Sequence, residues 1–153
     1  MISARLNQLE LLETWAEEDS QVSPKFAAAI SAQNGSASTQ LVYFTLEPGA
    51  KVGDHAHSAD ETLLVLEGTL EVIMGEERQR LSAGEVALIP AGVVHDTPNV
   101  GSETLRAVVF FPSSAVLHTW ELPLMPIGSR RFVTPPPEVD DAQAASVDSG
   151  AEV

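Results

Sequence analysis

The chain of 153 residues fits one domain, and its 44% of hydrophobic residues are enough for one core. Eight Lys and Arg against 22 Asp and Glu give a formal charge of −14, which supplies no basic face for nucleic acid or for an anionic membrane surface. With no cysteine, disulfides, thiolate nucleophiles and cysteine-ligated zinc are all excluded.

The N-terminal stretch MISARLNQLELLETW alternates apolar with polar and acidic residues, unlike the continuous apolar run of a signal peptide. No window approaches the ~18 apolar residues of a membrane span. A cytoplasmic protein is the default expectation. Residues 1–24 read as an N-terminal arm, in which Asn7 to Glu18 form a short helix or an edge strand. A strand is expected near Phe26 to Ala32, and Asn34-Gly35 is a hairpin turn signal ahead of strand-like Val42 to Leu46.

From Gln40 to Phe111, short β-rich runs alternate with Gly and Pro punctuation: QLVYFTLEPG, ETLLVLEG, TLEVIMG, QRLSAG, EVALIPAG and TLRAVVFFP. Many short strands at close spacing indicate an all-β sandwich or barrel, placed at residues 25–120. No helical segment between them is long enough to make crossovers for a parallel sheet. Beyond it, AVLHTWELPLMPIGSRRF is too apolar for a free tail. It is expected to continue as a strand and then as a strap, residues 121–137, across the barrel or a neighbouring subunit. Trp120 and Met125 on this piece either cover the barrel mouth or pack as ordinary core. Residues 138–153 hold five acids and no base after three consecutive prolines, and read as an acidic disordered tail.

The chemistry concentrates in DHAHSADE, Asp54 to Glu61. Alternate residues of a strand share a face, so His55 and His57 point the same way, with Cα atoms about 6.6 Å apart. Glu61 has the same parity and opens the next strand. Two imidazoles and a carboxylate suit non-haem Fe(II), with Mn, Co, Ni and Zn as competitors. Taken alone, the cluster reads equally well as a solvated turn. The remaining histidines are His95, after a strand and a Pro-Gly turn, and His118, around which nothing has ligand spacing. His118 reads as a hydrogen-bonded core residue.

The wider spacing is more specific. Gly49, His55, His57, Glu61 and Gly68 stand in the order G-x5-H-x-H-x3-E-x6-G, which resembles the first characteristic motif of the cupin superfamily. Gly84, Pro90, Gly92, His95 and Asn99, as G-x5-P-x-G-x2-H-x3-N, resemble the second, and the segment between the motifs, Thr69 to Ala83, is 15 residues long. The resemblance covers Leu41 to Phe111. It implies a small double-stranded β-helix, or jelly-roll, barrel. It also implies that His55, His57, Glu61 and His95 together hold one divalent transition metal, with Fe or Mn favoured and Ni, Zn, Co and Cu possible.

The four glycines fall at strand ends, where turns can require positive φ. Pro90 stops its strand and fixes the approach to His95. Asn99 reads as a turn residue. The histidines need partners to orient them, and Thr97 is a same-face candidate. Leu63 and Val65 share parity with Glu61 and face the barrel interior with Val109, Phe111 and either Phe44 or Tyr43. Thr62, Leu64 and Leu66 face outward, and the two leucines invite burial against another sheet or another subunit; with the resemblance, this implies a two-fold homodimer.

The resemblance implies an enzyme: an oxygenase acting on a small molecule such as an enolisable dicarbonyl or a phenol. Glu61 then either accepts the substrate's proton or only coordinates. A non-redox isomerase, decarboxylase or lyase is the alternative, and a metal-dependent binding protein without turnover the third. Arg106 is the one candidate for a positive partner to an anionic substrate.

Overall fold

A computed structural model describes residues 1–134; the acidic stretch 138–153 lies outside the described residues. Eleven strands make up the described part: β1 (Leu12–Glu13), β2 (Lys25–Ile30), β3 (Gln40–Leu46), β4 (His55–His57), β5 (Glu61–Glu67), β6 (Thr69–Met74), β7 (Glu77–Ser82), β8 (Val86–Ile89), β9 (Leu105–Phe111), β10 (Val116–Leu124) and β11 (Ser129–Thr134). The only helical pieces among the described residues are 3₁₀ turns at Leu6–Gln8 and Ala32–Asn34.

Six strands form one antiparallel sheet in the order β1-β2-β3-β9-β5-β8. Opposite it lie β11-β10-β4 and the β6-β7 hairpin. These two pieces are joined through the segment around His95, which bridges His55 on one side and, at Asp96, Ile73 on the other. The result is the all-β barrel that the strand spacing predicts, in the jelly-roll form that the resemblance implies. Among the described residues no helix is long and apolar enough to cross a membrane.

The pleat sets what faces inward. On β5, Glu61, Leu63 and Val65 are buried, while Thr62 and Leu66 are exposed. On β9, Leu105, Ala107, Val109 and Phe111 point into the same interior, and Val42, Phe44 and Leu46 do so from β3. Leu63, Val65, Leu70, Leu105 and Ala107 are fully buried. Each large apolar side chain of this kind contributes ~1.5–3 kcal/mol.

All four motif glycines adopt positive φ. Gly68 shows why no side chain fits: at φ +86° an added Cβ would sit 3.2 Å from the Leu105 Cα. Such a contact demands a shift of backbone as well as left-handed strain.

Two connections differ from the sequence expectation. Asn34-Gly35 is not a two-residue hairpin turn. Ser31 and Asn34 close a capping box on a 3₁₀ turn that ends at Gly35 with φ 102°, inside a longer link between β2 and β3. Local side-chain capping replaced the tight turn. The segment after residue 120 is mostly strand. β10 runs through to Leu124, turns through a cis Met125-Pro126 bond and returns as β11. At the N-terminus, β1 is an edge strand on β2, and Trp15 pairs with Met125.

Candidate metal centre

Strand β4 is three residues long, and its pleat turns His55 and His57 inward with Ala56 between them. The short loop Ser58 to Asp60 returns the chain so that Glu61, first residue of β5, faces the same interior. The second motif is tied onto the first by backbone. His55 and His95 exchange both N–H···O bonds, at 3.0 and 2.9 Å, and the Gly92 N–H donates to the His57 carbonyl at 2.8 Å. The Asp60 carboxylate accepts from the Ala91 N–H at 2.8 Å.

These links bring His55, His57, Glu61 and His95 into one buried group whose donor atoms all lie within 4.8 Å of one another. The sequence-predicted set is therefore assembled in space, and it can hold a metal ion. Residue exposures of 5%, 8%, 3% and 1% place all four out of bulk water.

Hydrogen bonding sets the direction of each ring. His55 Nδ1 lies 2.7 Å from the Gly53 carbonyl and His95 Nδ1 lies 2.9 Å from the Val93 carbonyl. A carbonyl only accepts, so both Nδ1 atoms carry the proton and both Nε2 lone pairs are free when the rings are neutral. His57 Nδ1 lies 2.7 Å from His118 Nδ1.

The Glu61 Oε2 is 2.6 Å from His57 Nε2 and 3.4 Å from His95 Nε2. Yet both nitrogens are buried without a hydrogen-bond partner. With the rings protonated on Nδ1, both nitrogens bring an unused lone pair to the same place as the carboxylate oxygen. A buried unsatisfied polar atom costs ~1–3 kcal/mol. One cation at that point satisfies all of them, so the residues present fit a metal ion. Three nitrogens, one carboxylate oxygen and no thiolate suit a divalent first-row metal.

The electrostatics agree. Burial opposes ionisation of Glu61, but His57 and His95 more than offset it and hold the carboxyl below the usual range. Burial, then the neighbouring His95 and His57, pushes His55 well below the ordinary imidazole value, so this ring stays neutral. For His95, burial acts downward, but Glu61 outweighs it and raises the value. With the three rings neutral, as metal binding requires, the group carries the single negative charge of the Glu61 carboxylate.

The rest of the site was less legible from sequence. Asp96, 7% exposed, accepts from the Gly53 N–H at 2.9 Å and from the Thr97 N–H at 2.7 Å. It thereby fixes the loop whose carbonyl orients His55. Trp120 is not on a strap but in β10, 6% exposed, with Nε1–H donating to the Val52 carbonyl at 3.0 Å. His118 is the hydrogen-bonded buried residue expected, but its partner is His57. Thr97 bonds none of the rings, which are held by Gly53, His118 and Val93. Asn99 is the expected turn residue: its amide donates to the Leu46 and Glu103 carbonyls and accepts from the Gly101 N–H.

A cavity of about 60 Å³ opens onto His55, His57 and Glu61, with apolar walls that include Phe26, Phe44, Val109, Phe111, Trp120 and Phe132. Of the expected lining, Phe44, Val109 and Phe111 are there. Leu63 and Val65 are buried in the core but do not line it. Tyr43 has the opposite parity and accepts from Arg106 at 2.9 Å, and Arg106 also pairs with Glu67 at 3.2 Å. Arg106 therefore lies outside the cavity, because its side chain stands on the outward face of β9.

Residues 42–111 match the family model described as the cupin domain. The chain carries a cupin domain. A curated relative, an uncharacterized protein of Streptomyces coelicolor, is 32% identical over 68 residues, which is 44% of this chain and 64% of that protein. The chain thus spans less than two thirds of that relative. Among solved structures, the chain is similar to the polyketide cyclase RemF of Streptomyces resistomycificus, at TM-score 0.61 and 21% identity, covering 73% of this chain and 79% of that one. It is similar to a cupin-like protein of Thermotoga maritima, at TM-score 0.54 and 24% identity, covering 65% and 71%. It is also similar to the oxalate decarboxylase of Bacillus subtilis, at TM-score 0.63 and 20% identity, covering 76% of this chain and 31% of that one. At these identities the likeness is one of fold.

Proposed function

We propose that this protein is a metal-dependent enzyme, an oxygenase acting on a small uncharged organic molecule such as an enolisable dicarbonyl or a phenol. The observation that carries this reading is the wall of the cavity. His55, His57 and Glu61 face it, so an ion held by them with His95 is reachable by a ligand, unlike the ion of a closed structural site. Among the described residues no Lys or Arg lines it. An apolar, aromatic wall with a few convergent polar groups suits a substrate with an apolar body and one chelating end.

Iron or manganese in such a site supplies Lewis acidity and one-electron chemistry with dioxygen. The chain's own residues do the rest. Phe44, Phe111, Trp120 and Phe132 bind the substrate body and keep water out. Glu61, the one carboxylate on the cavity wall, accepts the substrate's acidic proton. The test is dioxygen uptake by the iron- or manganese-loaded protein against a panel of dicarbonyls and phenols. Substrate-dependent uptake supports the oxygenase, and its absence with all of them removes it.

The second reading is non-redox isomerase, decarboxylase or lyase chemistry, favoured by the fold shared with a polyketide cyclase and an oxalate decarboxylase. The cation-free lining argues for a neutral substrate here too, and against a small dianion. Turnover with zinc in place of iron, without dioxygen, separates it from the first.

The protein is further proposed to work as a homodimer. On the outer face of the six-stranded sheet, Leu88 and Phe110 flank Thr62, while Val86 and Val108 flank Leu64. Val86, Leu88 and Phe110 are 62%, 58% and 38% exposed, an apolar face that a second copy would cover.

A further inference from the structure

Behind His57 runs a line of buried hydrogen bonds that no part of the proposed reaction uses. His57 Nδ1 meets His118 Nδ1 at 2.7 Å, His118 Nε2 meets the Thr134 hydroxyl in a short contact, and that hydroxyl donates to Gln40 Oε1 at 2.9 Å. The four residues come from β4, β10, β11 and β3, and are 8%, 5%, 8% and 0% exposed.

The proton positions follow from the Gln40 amide, whose oxygen faces the Thr134 hydroxyl. A hydroxyl has one proton. Thr134 spends it on Gln40, so it accepts from His118, and His118 carries its proton on Nε2. His118 Nδ1 is then a bare acceptor. The proton in the His57–His118 contact belongs to His57 Nδ1, which leaves His57 Nε2 bare and facing Glu61 and His95. Turning the Gln40 amide over would reverse every bond and put a proton on His57 Nε2, where it would exclude a metal ion.

We propose that His118, held by Thr134 and Gln40, is a positioning residue that fixes His57 in the one tautomer able to bind a metal ion. The proposal rests on the metal-site reading. It extends that reading to a residue with no ligand spacing in the sequence, reached only through the pairing of β10 with β4.

The experiment uses the full chain and zinc, which is diamagnetic. Long-range ¹⁵N–¹H spectra of histidine-labelled, zinc-loaded protein report the tautomer of each ring. Zinc affinity is measured by chelator competition for wild type, His118→Phe and His118→Asn. The expected result is a proton on His57 Nδ1 and on His118 Nε2. His118→Phe, which removes the acceptor, should bind zinc ~10–100-fold more weakly. His118→Asn, whose side-chain oxygen can stand where Nδ1 stood, should bind close to wild type. If His118→Phe does not fold, Thr134→Val removes the next link and should weaken zinc in the same direction. A proton on His118 Nδ1 in the zinc form, or a folded His118→Phe that binds as tightly as wild type, overturns the proposal alone. A wild-type chain that binds no zinc overturns the metal site as well.

Discussion

Trp120 stacks on His55, with ring centroids 4.6 Å apart and planes 11° from parallel. The same indole stacks on Phe132 at 5.2 Å and 12°. A proposed metal ligand is thus built into an aromatic stack, and the indole that packs against it is a reporter for the site. The other tryptophan, Trp15, is 45% exposed and lies in the N-terminal arm.

Adding Co²⁺ or Ni²⁺ to metal-free protein should therefore quench Trp120 emission at one equivalent. Trp15→Phe should keep this response and Trp120→Phe should lose it. Quenching that survives in Trp120→Phe would place the ion elsewhere. Trp120→Ala, which also abandons the bond to Val52, should cost ~3–5 kcal/mol in urea unfolding.

Asp96 makes a second case. Its Oδ1 accepts from both Gly53 and Thr97, and burial raises its pKa against the lowering effect of those two bonds. Asp96→Ala orphans two backbone N–H groups and should destabilise the metal-free protein by ~2 kcal/mol. Asp96→Asn keeps an acceptor without the buried charge and should be close to neutral. Equal urea midpoints for Ala and wild type would remove the clamp from the account.

The burial of His118 gives stability a pH dependence. Burial, followed by the neighbouring His57, pushes this ring down to about 3 from an ordinary value of 6.5. Between those values the unfolded chain holds a proton on this ring that the folded chain does not, so the contribution is present above about pH 6.5 and is lost as pH falls toward 3. Relative to His118→Phe, metal-free wild type should lose on the order of a few kcal/mol between about pH 7 and pH 4. A stability difference that stays constant over that range, measured in urea, would contradict the buried neutral ring.

The apolar outer face should hold a dimer. Leu88→Lys puts a charge in the middle of it and should shift sedimentation from dimer to monomer with the fold retained. A wild type that sediments as a monomer at every concentration would end the dimer proposal.

The parts of this site readable in the sequence are those written as local spacing. His55, His57 and Glu61 share strand parity over seven residues, and the glycines and Pro90 mark turns that need their backbone angles. His95 was legible only through the resemblance of its own motif. His118, Trp120, Thr134 and Gln40 were not, because their relation to the cluster comes from pairing across the two sheets. β10 meets β4 at a separation of about sixty residues, and no local pattern encodes that register. Tyr43 and Phe44 could not be told apart until parity on β3 was fixed by its pairing with β9. The strap expected after residue 120 failed for a similar reason. Prolines and a glycine suggested irregular chain, but β10 takes Pro123 near its end, beyond the stretch where it pairs continuously with β11.

The central claim is that His55, His57, Glu61 and His95 hold one ion. Elemental analysis of protein purified without an affinity tag, after reconstitution and removal of loose metal, tests it most directly when wild type and His57→Ala are compared. The account predicts one divalent transition metal per wild-type chain and none retained by His57→Ala, with the β-sheet circular dichroism unchanged. Full metal content in His57→Ala, or none in wild type, would contradict it.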